Sequence, residues 1–401
     1  MLIEIHVLQN HAPSNLNRDD TGSPKECVFG GYKRGRISSQ CLKRTIRRSD
    51  IFQQALAGDG LATRTRQLPE EVRKAFESDP ALRPLAEEAA KKASGFGNKD
   101  GKEAAQDAKS GKYLTAQSMF LTQRDIDAVV GTLRAAAEGK SVKEFGALKA
   151  ADLQKAAVVT GFRPVTVDVA LFGRMTTSEA FRDVEAACQV AHALSTHKVD
   201  HEFDYFTAVD DLQGLSETEE DAGADMIGDV EFNSACYYKY FSVDTDALAD
   251  NLTGKSMFRQ GISAEDTQAA HDLAGRAVEA LVKALVMVTP TGKQNSFAAH
   301  QLPAAVLVEV RPARTPVSYA NAFVEPARAG KGDDLVGASL SQFQQHVEAL
   351  TTGFNLEATT RLLLAPEHGN YAIAGTERAA DLNALGRRLR EAVGSGGRPH
   401  G

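Results

Sequence analysis

The stretch "LIEIHVL", residues 2–8, carries the clearest fold signal in the chain because it predicts the first strand of a sheet. Ile3, Ile5 and Val7 alternate with other side chains, and this two-residue period is typical of a half-buried strand. A second apolar run, "AAVLVEV" at residues 304–310, predicts a buried strand near the other end of the chain. Long insertions must therefore separate the strands of the predicted sheet.

Helices are predicted to follow the first strand and to precede the last one. Residues 10–37 are rich in Asn, Asp, Gly, Ser and Pro and predict a long loop. A helix is expected to begin near Ser38 or Ser39, either of which can cap it. A second helix, with a capping box at Ser263 and Asp266, continues along a clear apolar stripe.

The middle of the chain predicts a strand, a helix and a long arm. Alternating valines in "RPVTVDVALFGRM" (163–175) predict a strand, and "FRDVEAACQVAHAL" (181–194) has helical spacing. Residues 195–243 have two strand-like ends around an acidic centre, which is typical of a long hairpin. Without insertions the order is β, α, β, then β, α, β, so the predicted fold class is α+β with an RNA-recognition-motif (ferredoxin-like) core.

The stretch "GGYKRGRISSQCLKRTIRR" (30–48) concentrates positive charge in a chain whose formal net charge is -7. Its basic residues are Lys33, Arg34, Arg36, Lys43, Arg44, Arg47 and Arg48, and none of its residues is acidic. On the predicted helix the basic residues fan out opposite Leu42 and Ile46. Like charges without partners repel unless an anion neutralises them, so phosphate binding is favoured over a solvated helix surface.

The segment "PSNLNRDD" (13–20) supports two interpretations. Asn17 and Arg18 can donate hydrogen bonds to phosphates, whereas Asp19 and Asp20 form a carboxylate pair that could hold Mg²⁺ for phosphodiester cleavage. The aspartates could instead cap turns or pair with nearby arginines, and the sequence has no second acidic cluster at a recognisable spacing. Turn capping is therefore favoured.

Three other regions could contact a nucleic acid. Phe206 on the predicted arm and Met175 after the predicted strand could wedge between bases. The turn "TPTGKQNSFAAH" (289–300) exposes donors but lacks the ending of a phosphate-binding P-loop.

The histidine-rich stretch "HALSTHKVDHEFD" (192–204) is the remaining metal candidate. Its His-to-His spacing of five on a helix turns the rings apart, and the HExxH signature is absent. A cluster of satisfied histidines at the start of a strand is therefore favoured over a metal site.

Composition excludes several classes of protein. Hydrophobic residues make up 42 % and charged residues 25 % of 401 residues, an ordinary globular balance with room for two or three domains. The four cysteines lie far apart without a CxxC pair, which favours a reducing cytosol over a disulfide framework or zinc ribbon. No apolar run predicts a membrane span, the N-terminus does not resemble a signal peptide, and no motif predicts a cofactor.

Four segments together closely resemble the CasC-type subunit of type I-E CRISPR systems, which forms the repeated backbone of the RNA-guided surveillance complex Cascade. They are "PSNLNRDDTGSPKECVFGGYKRGRISSQCLKRTIR", "VDVALFGRMTTS", "AHALSTHKVDHEFDYFTAVDDL" and "GKQNSFAAH". The resemblance runs in order from residue 1 to about residue 325.

This resemblance implies a hand-shaped subunit. It implies an RNA-recognition palm at 1–58, 166–195 and 234–325, a helical fingers insertion at 59–165, a hairpin-like thumb at 196–233, and a C-terminal helical segment with a flexible tail at 326–401. Several copies are expected to stack along one CRISPR RNA, to associate with other Cascade subunits and to present the guide to target DNA. The resemblance implies a cytoplasmic protein with no cofactor and no membrane partner.

The resemblance also implies functional residues. The residues expected to contact the RNA backbone are Asn17, Arg18, Lys25, Arg36, Ser38, Gln40, Lys43, Arg44, Arg47, Lys293, Gln294 and Asn295. Met175 and Phe206 are the expected base-wedging residues. Such backbone subunits are not nucleases, but some type III relatives cleave target RNA with a palm-loop aspartate. A metal-dependent ribonuclease using Asp19 or Asp20 is therefore the alternative.

Overall fold

The computed structural model describes residues 1–157, 165–208, 226–254, 263–330 and 334–395, and shows a mixed α and β fold. The strands are β1 (Leu2–Ser14), β2 (Glu26–Phe29), β3 (Tyr32–Ile37), β4 (Thr63–Thr65), β5 (Met119–Leu121), β6 (Cys188–Val190), β7 (Ala193–Ser195), β8 (Glu202–Ala208), β9 (Met226–Asp244), β10 (Ala305–Arg311), β11 (Thr360–Leu364) and β12 (Glu377–Arg378). None of the described helices is long and apolar enough to cross a membrane.

The helices follow in the same order along the chain. They are α1 (Ser39–Arg48), α2 (Asp50–Ala55), α3 (Leu68–Glu77), α4 (Ala86–Ser94), α5 (Gln123–Ala137), α6 (Val142–Gly146), α7 (Ala150–Ala157), α8 (Val167–Phe172), α9 (Thr245–Thr253), α10 (Ala264–Met287), α11 (Gln294–Phe297), α12 (Leu335–Gly353) and α13 (Leu382–Ser395).

The chain divides into two compact units. The first unit comprises Met1–Phe52, Gln189–Asp244 and Val278–Ala392, and the second comprises Gln53–Cys188, Thr245–Ala277 and Val393–Gly401. In the second unit, helices α3 to α7 surround a core that includes Phe76, Phe96 and Phe145.

The first unit is built on a sheet with the strand order β12-β11-β10-β1-β9-β7-β3-β2. β1 lies in its interior, with Ile5 opposite Val308 of β10 on one side and opposite Phe241 of β9 on the other. Both pairings are antiparallel. The strand predictions at residues 2–8 and 304–310 are therefore confirmed.

β1 is buried on both faces, although its alternation predicted a half-buried strand. Ile3, Ile5 and Val7 fill one face, while the polar Glu4 and His6 on the other face are also at most 1 % exposed. The second face is covered because α12 and the segment before it pack there, adding Tyr319 and Phe343 to the cluster. The His6 ring centroid lies 4.6 Å from that of Tyr319.

Four segments differ from their predictions because strand pairing and local capping outweigh composition. β2 and β3 form a hairpin within the predicted loop at 10–37. Residues 181–194 contain the strands β6 and β7 instead of a helix, since β7 pairs with both β3 and β9. The predicted strand at 163–175 contains helix α8, which ends at Gly173 with φ of 79°. The predicted C-terminal helical segment, 326–401, also contributes strands β11 and β12.

The long hairpin predicted at 195–243 is confirmed for its described part. β8 pairs antiparallel with the first part of β9, from Glu202 opposite Phe232 to Ala208 opposite Met226. The rest of β9 continues into the sheet beside β1. The acidic centre of the predicted arm lies mostly outside the described residues.

Arg34 is a buried structural residue, although the sequence grouped it with the basic patch. Its guanidinium donates hydrogen bonds to four backbone carbonyl groups and is fully buried. The acceptors are Ser195 (3.1 Å), Thr196 (3.0 Å), Phe323 (2.7 Å) and Val324 (3.1 Å). It thereby ties β3 to two segments that are distant in sequence.

We expect Arg34→Met to lower the free energy of unfolding by about 3 kcal/mol or more, because several buried carbonyl groups lose their donor. Lys33→Met is the matched control: its exposed ion pair with Glu26 (3.2 Å) contributes less than about 1 kcal/mol. Urea denaturation measures both variants. Equal stability of the two variants would show that the four contacts do not support the fold.

Buried charges join β1, β10 and β11. Glu4 lies directly opposite Glu309, and both are fully buried. Arg311 lies 2.6 Å from Glu4 and 2.8 Å from Glu309, and Arg361 lies 2.8 Å from Glu309. Burial alone raises the pKa of Glu309, but hydrogen bonding and charge from His6 and then from Arg311 outweigh it and hold that pKa well below its ordinary value of 4.5.

The depressed pKa of Glu309 makes stability depend on pH. Because the folded state holds the carboxylate ionised, its contribution is present above pH 4.5 and is lost as the pH falls towards the folded-state pKa. The loss approaches about 1.4 kcal/mol per pH unit for this proton. Urea unfolding between pH 6 and pH 3 should show it, with a shallower slope for Glu309→Gln. Exposed Glu138→Gln serves as control, and a wild-type slope in Glu309→Gln would contradict the assignment.

Candidate nucleic-acid interface

Three segments of the first unit lie together: the loop at 15–25, α1 and the turn at 289–299. The side chain of Ser38 caps α1 by accepting a hydrogen bond from the Cys41 amide (3.2 Å). The Ser38 amide in turn donates to Oδ1 of Asn17 (2.8 Å), and the Asn17 carbonyl accepts from the Lys25 amide (2.8 Å). Asn17 and Ser38 thus hold the loop against the helix.

α1 has one apolar and one basic side, as the sequence predicted. Leu42 and Ile46 are buried, and the helix contains no acidic residue. Lys43 is half-buried, while Arg44 is exposed, and neither forms an ion pair with any described residue. Arg47 is half-buried in the last turn, where positive charge also interacts favourably with the helix dipole.

The loop at 15–25 and the turn at 289–299 touch through their backbones. A Cβ atom on Gly292 would lie 2.4 Å from the carbonyl oxygen of Leu16 and 2.5 Å from that of Asn15, so no larger residue fits without movement. The side chain of Asn15 donates to the carbonyl oxygens of Gly22 and Glu231, both at 2.9 Å. The loop is therefore fixed by the turn and by β9.

The three predicted donors of this turn differ in their roles. The side-chain amide of Gln294 donates to the carbonyl oxygens of Pro290 (3.0 Å) and Ala299 (3.4 Å). Its oxygen accepts from the backbone amide of Ala299 (2.7 Å), so this side chain shapes the turn. Lys293 is half-buried with φ of 50°, whereas Asn295 is exposed.

An open groove of about 520 Å³ lies where the three segments meet. Its lining includes Asn17, Arg18, Asp19, Asp20, Arg44 and Thr291. Arg18 and Asp20 are exposed, so the groove presents both a positive and a negative side chain to solvent.

Asp19 is engaged in a turn, the interpretation that the sequence favoured. Its Oδ1 accepts hydrogen bonds from the Thr21 amide (2.9 Å), the Thr21 hydroxyl (2.8 Å) and the Ser23 amide (3.0 Å). The Thr21 hydroxyl is the main cause that lowers the pKa of Asp19. Among the described residues, no group of three or more His, Cys, Asp or Glu side chains could hold a metal ion.

Arg36 shares its guanidinium with the protein. It donates to the Glu26 carbonyl (3.3 Å) and lies 2.9 Å from Nδ1 of His192. Burial, and then the charges of Arg36 and Lys25, lower the pKa of His192, so its ring accepts this hydrogen bond near neutral pH. Lys25 is half-buried and Gln40 is exposed at the start of α1.

Of the histidines in the 192–204 stretch, His201 lies against two carboxylates, while Nδ1 of His197 and Nε2 of His201 are buried without a hydrogen-bond partner among the described residues. The ring of His201 contacts the carboxylate of Glu231 on β9 and lies 3.3 Å from that of Glu26 on β2. These contacts fix the base of the β8–β9 hairpin beside the 15–25 loop.

Lys239 is a notable residue that the sequence reasoning missed. It is buried on β9, donates to the side chain of Gln9, and burial lowers its pKa to about 8. The available signal was a single lysine inside the aromatic strand "CYYKYFSV". Its charge depresses the pKa of nearby His11, after the larger effect of burial.

The two predicted wedge residues lie in different units. Met175, in the second unit, is 92 % exposed. The preceding Arg174 holds this segment through Asp125 (2.7 Å) and a backbone bridge to Val184. Phe206, on β8 of the first unit, is 38 % exposed and packs across Gly228, where a Cβ atom would lie 2.6 Å from its ring.

We expect Gly292→Ala to disturb the groove, because its Cβ atom would collide with backbone that cannot simply rotate away. The free energy of unfolding should fall by about 1–3 kcal/mol. Gly58→Ala is the control, since its Cβ atom meets nothing within 4 Å. Differential scanning calorimetry compares the variants, and equal transition temperatures would show that the close approach is not required.

The chain is similar to a known protein family and to chains of solved structures. A family model described as CT1975-like protein matches residues 3–388. A chain from a solved structure titled "CRISPR RNA-guided surveillance complex, pre-nicking" is 28 % identical, with a TM-score of 0.75 over 98 % of this chain and 100 % of that chain. A chain from another structure, "CRISPR RNA-guided surveillance complex", is 24 % identical with a TM-score of 0.68 over the same shares and shares the fold. No curated protein matches. The chain belongs to the family of CT1975-like proteins.

Proposed function

We propose that this protein is the RNA-binding backbone subunit of a Cascade-type CRISPR surveillance complex, of the CasC type found in type I-E systems. The observation that carries the proposal is the basic side of α1, whose Lys43 and Arg44 have no anionic partner among the described residues. Support comes from the 28 % identical chain, which belongs to an RNA-guided surveillance complex and aligns over its whole length.

The sheet supports an RNA-recognition palm. The strand order β10-β1-β9-β7, with α1 and α10 between strands along the chain, is consistent with the predicted β, α, β, β, α, β core. We retain 1–58, 166–195 and 234–325 as the proposed palm. The proposed fingers, thumb and C-terminal segment keep their bounds at 59–165, 196–233 and 326–401.

The palm is proposed to bind RNA without stacking bases on its sheet. RNA-recognition motifs use an open, aromatic sheet face, but here Tyr238 of β9 is buried in one cluster with Tyr319 and with Phe343 of α12. Contacts with the sugar-phosphate backbone therefore fall to α1 and to the flanking loops. Lysine and arginine neutralise phosphates whatever the base, which suits a subunit that must hold any guide sequence.

The proposed contacts divide into direct and supporting ones. Arg18, Gln40, Lys43, Arg44, Arg47, Lys293 and Asn295 are proposed to touch the RNA backbone. Asn17, Ser38 and Gln294 act mainly by shaping the loops, while Lys25 and Arg36 do both. Met175 and Phe206 are proposed to displace bases.

Although the chain is acidic overall, several copies bound along one RNA strand together gain affinity for it. Each copy contributes a small patch, and stacking copies along one strand multiplies their effect. Such stacking places one surface against a different surface of the next copy, so the guide and the other Cascade subunits must set its length. The proposed subunit is non-catalytic, needs no cofactor, works in the cytoplasm and meets target DNA through the paired guide.

We expect Lys43→Ala plus Arg44→Ala to weaken binding of single-stranded RNA equally for unrelated sequences. The slope of log K against log salt should become shallower by about 0.7 for each lost phosphate contact. Fluorescence anisotropy over a salt series measures this, with Arg387→Ala plus Arg390→Ala on α13 as a charge-matched control.

The ribonuclease alternative predicts a different result. RNA would shorten in the presence of Mg²⁺, and Asp19→Asn or Asp20→Asn would abolish cleavage while leaving binding intact. That outcome would falsify the non-catalytic proposal. Unchanged binding in the Lys43 and Arg44 variant would instead refute the role of α1.

A further inference from the structure

A second open groove continues along α1 beyond the candidate site. It has a volume of about 620 Å³ and shares Arg44, Thr45 and Thr291 with the first groove. From these shared residues it extends past Arg48 and Thr289. The two grooves therefore adjoin each other at α1 within the first unit.

The second groove offers a free cation. Arg48 is exposed and forms no ion pair with the described part of the chain. It stands four residues after Arg44, so the two guanidinium groups leave the same side of α1 about 6 Å apart along the axis. One nucleotide of an extended strand can span this step.

Uncharged donors share the groove with Arg48. Thr289 and Thr291 also line it, and their hydroxyl groups can donate to phosphate oxygens. The hydroxyl of Ser49 is already committed, because it donates to the Ile46 carbonyl (2.7 Å). Asp50 also lines the groove and is the carboxylate that a phosphate would have to avoid.

We propose that this groove is a second phosphate subsite, in which Arg48, Thr289 and Thr291 bind the phosphodiester adjacent to the one held by Arg44. The inference rests on the proposed RNA-binding function and extends it by one nucleotide. An acidic protein partner is the less favoured occupant, because the groove adjoins the proposed RNA site and already contains Asp50.

Salt-dependent binding of a single-stranded RNA to the full chain tests the subsite. Arg48→Gln should weaken binding about two- to fivefold and make the salt slope shallower by about 0.7. Arg48→Lys should keep the wild-type slope because it keeps the charge. Thr289→Val, at a residue that lines the second groove but not the first, should weaken binding without changing the slope, since it removes a hydroxyl group only.

Two further variants separate the subsite from the proposed function. Arg44→Gln reports on the first groove, and Arg387→Gln on α13 is the matched control for loss of one exposed positive charge. If Arg44→Gln weakens binding while Arg48→Gln equals Arg387→Gln, the subsite is wrong and the proposed function stands. If neither Arg44 nor Arg48 affects binding, both proposals fail. The difference in RNA affinity between the wild type and Arg48→Gln should persist when inorganic phosphate is added at constant ionic strength. If the added phosphate abolishes this difference, the groove binds free anions, and the inference that it binds the RNA strand is wrong.

Discussion

The first unit depends on neutralising two glutamates that its central strand pairing brings together. Glu4 and Glu309 face each other in the antiparallel register, and Arg311 and Arg361 supply the compensating charges. A buried network of this kind adds little net stability over an apolar core, but it penalises every other register, because a shift by one residue separates the charges. β11, which carries Arg361, is therefore part of the sheet's specification.

The burial of this network limits which surface of the first unit can bind a ligand. The aromatic residues around His6 are buried because α12 packs over them. Covering that face removes it as a stacking platform. The basic α1 and the loops fixed by Asn15, Asn17 and Gly292 remain as the polar, concave surface of the same unit. The stabilising cover and the location of the candidate site are thus consequences of one packing arrangement.

The sequence predicted features that depend on local spacing. β1, β10, α1 with its Ser38 cap and the β8–β9 hairpin follow from two-residue or 3.6-residue periods and a capping side chain. The predictions from sequence were wrong where long-range pairing decides the structure. Residues 193–195 have helical spacing but form β7, because this segment pairs with β3 and β9. For the site, α1's basic side was predictable. The loop-shaping role of Gln294 and the second groove at Arg48 were not, because both depend on how distant segments meet.

The basic stretch at 30–48 is not one uniform patch, because strand and helix direct its cations differently. Neighbouring positions on β3 point to opposite faces, so Arg34 is buried against carbonyl groups while Lys33 is exposed. Arg36 is partly occupied by His192. Only when the chain reaches α1 does the helical period direct successive cations to one solvent-facing side, opposite Leu42 and Ile46. The fold thus uses the first arginines to hold itself together and leaves Arg44 and Arg48 without an ion pair among the described residues, which is the arrangement that an external polyanion requires.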